Sequence, residues 1–290
     1  MSRVISHAGA RKGLDQRPLL PFGLEIPAGA APEALQPART GHLKQLVRAH
    51  GLVVVRGVGR QLSDARGLQE WASRWGRLKA WPFGHVLELR QSAEADDTVF
   101  SRTSMPFHWD GMYTTSIPEF AMLLCIRGSR PGEGGRTLFT DTRRVLSGLG
   151  KVRIAHWQRL HLEYFKEQRV HYGGHAVSAL IAVDPRTGGP ILRYEGPHPH
   201  DSAGINPTQV RWHGVTPAQQ AVCEQELADA LHADAYCYRH CWQPGDLVIA
   251  DNYSLLHGRE ALRAQSFRHL LRVQVELPSG APHARSPQRG

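Results

Sequence analysis

The 290-residue sequence lacks any apolar run of transmembrane length, and its first twenty residues contain no apolar signal segment. Its four cysteines, Cys125, Cys223, Cys237 and Cys241, are too few in a chain of this length to indicate a disulfide framework. Cys237 and Cys241 with His240 between them offer half a zinc site, but no second pair stands at zinc-finger spacing. These absences predict a soluble, cytoplasmic protein without structural zinc.

Lysine is scarce: only five of the 35 Lys and Arg residues are lysines. The formal net charge of the chain is +9. A basic chain can bind nucleic acid, but this one has no basic stripe interleaved with aromatics and no helix loaded with cations. We therefore expect a small-molecule substrate and neither nucleic acid nor membrane as a partner, with homo-oligomer formation left open. The positive charge would favour capture of an anionic substrate.

Metal chemistry is indicated by His108 and Asp110, which flank Trp109 in the segment Phe-His-Trp-Asp-Gly-Met at 107–112. In an extended segment, alternation places His108 and Asp110 on one face and Trp109 on the other. A third candidate ligand, His257, lies downstream. It follows the apolar run at 246–250, and that run predicts a buried strand. Two imidazoles and one carboxylate on one side of a ferrous ion leave positions open for oxygen and a co-substrate.

The His-x-Asp pair alone is weak evidence, because a chain with 17 histidines contains about one such tripeptide by chance. A second copy stands at His232 and Asp234, at the end of a predicted helix. A histidine at the C-terminal end of a helix interacts favourably with the helix dipole. Taken without further context, the first pair is better explained as a surface His-x-Asp pair with an unrelated distal histidine than as a metal site.

Arg268, eleven residues after His257, lies in a segment that alternates apolar and polar residues and so predicts a strand over 265–275. Two arginines on one face of a core strand are costly unless that face lines an anion-binding cavity. One predicted face carries Arg268, Leu270, Arg272 and Gln274, and the other carries Leu271, Val273 and Val275.

The order of these motifs resembles the taurine dioxygenase/2,4-D dioxygenase (TauD/TfdA-like) family. The pattern is His-x-Asp, then Gly134-Gly135-Arg136-Thr137, then the distal histidine, then arginine eleven residues later, and it spans roughly residues 40 to 276. The resemblance implies a mainly β (α+β) double-stranded β-helix, or jelly roll, with flanking helices. It also implies an Fe(II)-dependent dioxygenase that uses 2-oxoglutarate and O2 as co-substrates.

Carried over by position, the resemblance assigns His108, Asp110 and His257 to iron, and Thr137 and Arg268 to 2-oxoglutarate. It places Arg272 against an anionic group of the substrate or co-substrate, although Arg272 also fits an exposed strand cation. Halogenation is disfavoured, because halogenating relatives have Ala or Gly where Asp110 stands. Hydroxylation and desaturation of a small carboxylate-bearing substrate both stay open.

A narrower resemblance involves Trp75-Gly76, the Trp-Pro-Phe-Gly segment at 81–84, and residues 107–113. These resemble the PvcB-like (paerucumarin) branch, which oxidises tyrosine- or tryptophan-derived isonitriles in secondary metabolism. The resemblance implies substrate contacts from Phe83, Met105, Tyr113 and Arg272, although these aromatics also fit a core. The alternatives are a taurine/sulfonate- or aryloxyalkanoate-type hydroxylase of the same family, a zinc hydrolase, and a non-catalytic ligand-binding jelly roll.

The chain is predicted to consist of three parts, the second of which contains an insertion. Residues 1–38, rich in Pro, Gly and Ala, form an irregular arm, and residues 39–278 form the single dioxygenase domain. Residues from about 141 to 213 form an insertion over the mouth of the iron site, because loops on a rigid scaffold commonly carry specificity. The polar and basic tail at 279–290 is predicted to be disordered.

Two helices are predicted from their ends and their periodicity. One covers Thr40–His50, and the other starts at Thr216, followed by proline and a capping-box glutamine, and runs to about Ala233. The buried stripe of the second helix is predicted to be Val222, Leu227 and Leu231.

Overall fold

The computed structural model describes residues 13–92, 94–169, 172–198 and 205–278, so the predicted tail at 279–290 lies outside the described residues. The architecture is mixed α+β and rich in strands. The helices are α1 (Ala31–Ala34), α2 (Thr40–His50), α3 (Ala65–Ala72), α4 (Thr142–Gly148), α5 (Lys151–Trp157) and α6 (Pro217–His232). The strands are β1 (Arg17–Pro18), β2 (Leu24–Ile26), β3 (Leu52–Val55), β4 (Val86–Arg90), β5 (Met105–His108), β6 (Pro118–Arg127), β7 (Thr137–Asp141), β8 (His161–Arg169), β9 (Tyr172–Ala179), β10 (Ile181–Val183), β11 (Pro190–Leu192), β12 (Gln209–His213), β13 (Cys237–His240), β14 (Leu247–Asp251), β15 (Leu255–Arg259) and β16 (His269–Glu276).

Two sheets carry the site. The larger has the order β1-β2-β3-β14-β6-β16-β4, and the smaller has the order β13-β7-β15-β5. Side chains from both sheets share one apolar cluster, which includes Leu123 and Leu270 of the larger sheet and Phe139 and Leu255 of the smaller one. The two sheets therefore pack face to face, as in β-sandwiches.

The central strands of the larger sheet are buried on both faces, which explains why β3 is an unbroken apolar run, Leu-Val-Val-Val. Val53 and Val55 pack with helices α1, α2 and α3, whereas Leu52 and Val54 face the smaller sheet. The helix side also buries Trp71 and Trp75, whose ring centroids lie 5.4 Å apart, so these tryptophans are core residues.

The segment predicted to be an irregular arm contains regular structure from Arg17 onwards. Leu24 and Ile26 of β2 pair in parallel with Val53 and Val55 of β3, and Ile26 is completely buried. Proline and glycine obscured this strand, which is only three residues long and gains its stability from pairing with an existing sheet.

Helices α2 and α6 confirm the predictions made from their termini. Helix α2 ends where Gly51 adopts φ 78°, and α6 begins with the predicted capping box between Thr216 and Gln219. The predicted stripe of α6 is wrong at Val222, which is 59% exposed, because Cys223 is the residue four positions before Leu227 and shares its face.

The predicted insertion forms a layer over the smaller sheet. Its described residues contain α4, α5, the hairpin β10–β11 and a three-stranded sheet in the order β12-β8-β9. Trp157 and Tyr164 from this layer pack with Phe107 and Leu256 of the smaller sheet. Within the part of the chain that the structure describes, no helix is long and apolar enough to cross a membrane.

Candidate active site

Strand pairing brings the distant parts of the predicted triad together. His257 of β15 lies directly opposite His108 of β5, and their ring centroids are 4.3 Å apart. Asp110 follows two residues after β5, and one ligand atom from each of the three residues lies within 4.8 Å of the others. His257 lies in its own strand, one turn beyond the predicted strand at 246–250. Trp109, which lies between His108 and Asp110 in sequence, packs edge-on against Tyr164 of β8 at a centroid distance of 5.5 Å.

Hydrogen bonds orient two of the three candidate ligands, His108 and Asp110. His108 Nδ1 lies 2.9 Å from the carbonyl oxygen of Pro106, so when Nδ1 carries the proton, Nε2 is left for a metal. Asp110 Oδ1 accepts a hydrogen bond from Arg272 Nη1 at 3.1 Å. Asp110 Oδ2 is buried and has no hydrogen-bond partner among the described residues, which fits an oxygen that coordinates a cation.

The pKa values of two of these residues favour the forms that bind metal. Burial raises the pKa of Asp110, but the positive charge of Arg272 and the neighbouring imidazoles outweigh it and lower that pKa to about 2. Burial lowers the pKa of His257 to about 3, assisted by His108 and Arg272. The carboxylate is therefore ionised and the His257 imidazole is neutral at physiological pH, as metal coordination requires.

Arg268 lies in the same cavity, immediately before β16, and only 3% of its surface is exposed. Its Nη1 donates to the carbonyl oxygen of Gly135 at 3.0 Å and its Nε donates to Gln91 Oε1 at 3.2 Å. Burial lowers its pKa well below the usual value, with nearby Arg259 adding to the effect. No described carboxylate forms an ion pair with Arg268, so this buried cation suits an anionic ligand.

Thr137 contributes a hydroxyl beside Arg268. Its Oγ1 accepts from Arg268 Nη1 at 3.3 Å and from Trp242 Nε1 at 2.9 Å. Since the oxygen accepts twice, its own O–H is left to donate into the cavity. Gly135, two residues earlier, has φ 76°, and a Cβ there would approach Leu262 to 2.8 Å, so the Gly-Gly pair permits this close packing.

The two predicted faces of the β16 segment are confirmed. Leu271, Val273 and Val275 belong to the core cluster on the helix side of the larger sheet. The opposite face lines the cavity that also contains His108, Asp110 and His257, through Arg268, Leu270, Arg272 and Gln274. The cavity thus combines a candidate metal centre with two arginines on one strand.

The sequence model of the taurine catabolism dioxygenase TauD, TfdA family matches residues 15–274. The chain belongs to the TauD/TfdA family. Two relatives are 34% identical to it: a 3-((Z)-2-isocyanoethenyl)-1H-indole synthase from Fischerella ambigua and a tyrosine isonitrile desaturase from Pseudomonas aeruginosa. The first match covers 89% of this chain and 93% of the relative, and the second covers 92% and 90%.

A solved structure of PvcB, an Fe, alpha-ketoglutarate dependent oxygenase from an isonitrile synthetic pathway, superposes with a TM-score of 0.71 and 30% identity. The match covers 94% of this chain and 95% of PvcB. This TauD/TfdA-family chain is therefore an Fe(II)/2-oxoglutarate-dependent dioxygenase. Its cavity fits both cofactors. It offers two imidazoles and a buried carboxylate to a ferrous ion, and it offers a carboxylate the buried Arg268 guanidinium, which has no ion-pair partner among the described residues.

Asn252 was not identified from the sequence, and its side chain hydrogen-bonds the backbone of Asp110. Its Oδ1 accepts from the backbone N–H of Asp110 at 2.9 Å, and its Nδ2 donates to the carbonyl oxygens of Asp110 and Pro118 at 3.0 and 2.9 Å. Asn252 lies in the turn between β14 and β15 and is 2% exposed. The polar turn Asp-Asn-Tyr just before His257 was the available signal.

Replacing Asn252 with leucine is expected to weaken Fe(II) binding by about tenfold, because outer partners of metal ligands typically contribute 10–100-fold. Metal titration under anaerobic conditions measures this change. Asn206→Leu is the matched control, since Asn206 is another buried amide but bonds Asp97 and the backbone of Glu167. If the two variants lose stability alike and both keep wild-type iron affinity, Asn252 does not position Asp110.

The predicted substrate residues divide into two groups. Met105 and Arg272 line the cavity, whereas Phe83 and Tyr113 do not. The tight turn at 81–84 directs Trp81 into the cavity and leaves Phe83 stacked on it at a centroid distance of 6.2 Å. Tyr113 packs edge-on at 5.2 Å against Tyr172, which is the tyrosine that lines the cavity. Phe83 and Tyr113 thus support the lining residues rather than forming the wall.

The layer over the smaller sheet supplies several cavity residues that sequence reasoning did not single out. Lys166 is buried, with its Nζ 3.3 Å from Asp97 Oδ1 and 2.9 Å from Thr98 Oγ1. Side chains from this layer that line the cavity are Lys166, Tyr172, Glu195, His198 and Thr208.

Proposed function

We propose that His108, Asp110 and His257 hold Fe(II), and that Arg268 and Thr137 bind the distal carboxylate of 2-oxoglutarate. The single observation that carries this assignment is the position of Arg268, a buried guanidinium without a carboxylate partner among the described residues, in the same cavity as the His-Asp-His cluster. A planar guanidinium binds a carboxylate through two parallel hydrogen bonds.

We also propose that the two facing sheets form a double-stranded β-helix, which closes around this cavity from both sides. The face-to-face packing of the two sheets supports this topology. Residues 39–278 would then form one dioxygenase domain, with residues 141–213 inserted as a cover over the iron site. The five cavity-lining side chains contributed by the covering layer support that role.

For the substrate, we propose an isonitrile derived from an aromatic amino acid. The names of two relatives that cover about nine tenths of this chain refer to isonitrile chemistry, and the cavity offers suitable partners for such a molecule. Arg272 presents a cation to a carboxylate, and Trp81 and Tyr172 present apolar rings to an aromatic body. Arg272 donates to Asp110 through Nη1 and keeps further N–H groups for a substrate carboxylate.

The reaction that we propose is desaturation of the side chain to a vinyl product. The iron centre, when loaded with 2-oxoglutarate and oxygen, supplies the oxidising power for removal of hydrogen from the substrate. The protein residues fix the geometry: Arg272 holds the carboxylate, the aromatic wall holds the ring, and the buried cavity excludes water. Placement of the substrate relative to the metal thus determines which carbon loses hydrogen.

The test is a mass-spectrometric screen of small acids with Fe(II), ascorbate and 2-oxoglutarate. We expect an aromatic amino-acid isonitrile to lose two hydrogen atoms, because that is the mass change of desaturation. Gain of one oxygen atom would indicate hydroxylation instead. Conversion of aryloxyalkanoates or taurine, with no reaction of any isonitrile, would contradict the proposed substrate class and favour a hydroxylase of the same family.

A further inference from the structure

A buried acid–histidine pair, Glu195 and His198, lies in the active-site cavity and has no part in the proposed iron or 2-oxoglutarate binding. His198 Nε2 is 2.9 Å from Glu195 Oε1, and 5% of the His198 side chain is exposed. The backbone N–H of Gly196, between them, donates to the carbonyl oxygen of Phe107 at 3.2 Å. This bond attaches the pair to β5, the strand that carries His108.

The second ring nitrogen of His198 is an unused hydrogen-bonding group. When Nε2 carries the proton and donates to Glu195, Nδ1 has only a lone pair and must accept. This Nδ1 is buried and has no hydrogen-bond partner within the described ranges of the chain. A buried acceptor without a donor is unfavourable, and such groups in native proteins usually mark a place for a ligand or water.

Neighbouring groups favour the ionised form of the Glu195 carboxyl group. Burial raises the pKa of Glu195, but its hydrogen bond from His198 and the charge of His108, with a further bond from Thr208, lower that pKa below the usual value. The Thr208 hydroxyl oxygen itself accepts from Tyr113 Oη at 3.4 Å. Glu195 is therefore an anionic acceptor that orients the His198 ring through Nε2, and Nδ1 is the ring nitrogen left without a partner among the described residues.

We propose that His198 Nδ1 accepts a hydrogen bond from a donor on the substrate's aromatic ring, a phenolic O–H or an indole N–H. This inference rests on the proposed function and narrows its substrate class to aromatic acids whose ring bears a donor. The cavity then recognises both polar ends of one molecule, the carboxylate at Arg272 and the ring donor at His198. A site that hydrogen-bonds a donor discriminates strongly against the analogue that lacks it.

The experiment measures equilibrium binding under anaerobic conditions to protein loaded with Fe(II) and 2-oxoglutarate. Two matched ligand pairs are compared: the isonitriles of tyrosine and phenylalanine, and those of tryptophan and 1-methyltryptophan. For the pair that binds more tightly, wild-type protein should prefer the donor-bearing member by about tenfold or more, equivalent to about 1.4 kcal/mol. His198→Leu should reduce this ratio to about one by weakening only the donor-bearing member. His198→Gln, which retains an acceptor, should restore part of the preference.

His175→Leu is the matched control. His175 pairs with Glu163 at 2.6 Å in the same covering layer, but its side chain is 56% exposed, so the preference should not change. Equal affinities within both wild-type pairs, or an unchanged ratio in His198→Leu, would overturn the inference while leaving the proposed function intact. If no amino-acid isonitrile binds at all, the proposed substrate class is wrong and the inference falls with it.

Discussion

His257→Ala is expected to abolish oxidative turnover and to lower Fe(II) affinity by more than 100-fold. The variant removes one of the three proposed protein ligands, and such a loss should exceed the 10–100-fold effect of losing an outer partner of a ligand. Anaerobic metal titration and single-turnover product analysis measure the two effects separately.

His232→Ala is the control for this experiment. His232 belongs to the other His-x-Asp tripeptide, but its ring packs at a 60° tilt against Phe107 with a centroid distance of 4.8 Å, and its Nδ1 lies 2.9 Å from the carbonyl oxygen of Ala228 near the end of α6. This variant should keep wild-type iron binding. Full turnover in His257→Ala, or equal losses in both variants, would contradict the assignment of the triad.

Arg268→Ala is expected to weaken 2-oxoglutarate binding by roughly 100-fold or more. Loss of one partner from a buried, hydrogen-bonded charge pair costs about 2–5 kcal/mol, and about 3 kcal/mol corresponds to this factor. In this variant the Thr137 hydroxyl remains, but it is one neutral donor, whereas the Arg268 guanidinium is charged and can donate two parallel hydrogen bonds. Calorimetric titration of the iron-loaded protein with 2-oxoglutarate gives the dissociation constant without any need for turnover.

Two further variants make the result specific. Arg268→Lys keeps the charge but loses the planar fork, so its affinity should lie between those of wild type and Arg268→Ala. Arg263→Ala removes an exposed arginine five residues earlier and should bind normally. 2-Oxoglutarate should also raise the melting temperature of the wild type and of Arg263→Ala, but not of Arg268→Ala. An Arg268→Ala protein with normal affinity and a normal thermal shift would place the co-substrate elsewhere.

Local patterns predicted much of the site. Period-two alternation placed Arg268 and Arg272 on the cavity face of β16 and Val273 on the core face, because the register of a buried strand leaves no other choice. The motif order that indicated the family also predicted that His108, Asp110 and His257 lie close together. In the structure, one ligand atom from each residue lies within 4.8 Å of the others.

Other residues could not be predicted, since their roles depend on contacts between distant segments. Asn252 bonds Asp110 across 142 positions of sequence, and no periodicity marks such a contact. Trp81 lines the cavity in place of Phe83 because of the direction of one tight turn. Glu195 and His198 come from a segment whose sequence shows no regular alternation, so only the fold shows that they face the iron site.

Coupling of oxygen consumption to succinate formation is the most direct test of the account, with Fe(II) and Zn(II) compared in the same protein. We predict one succinate per oxygen consumed when an isonitrile substrate is turned over with Fe(II), and no turnover with Zn(II). Conversion of substrate with Zn(II), without oxygen uptake or succinate, would contradict the account and identify a hydrolase.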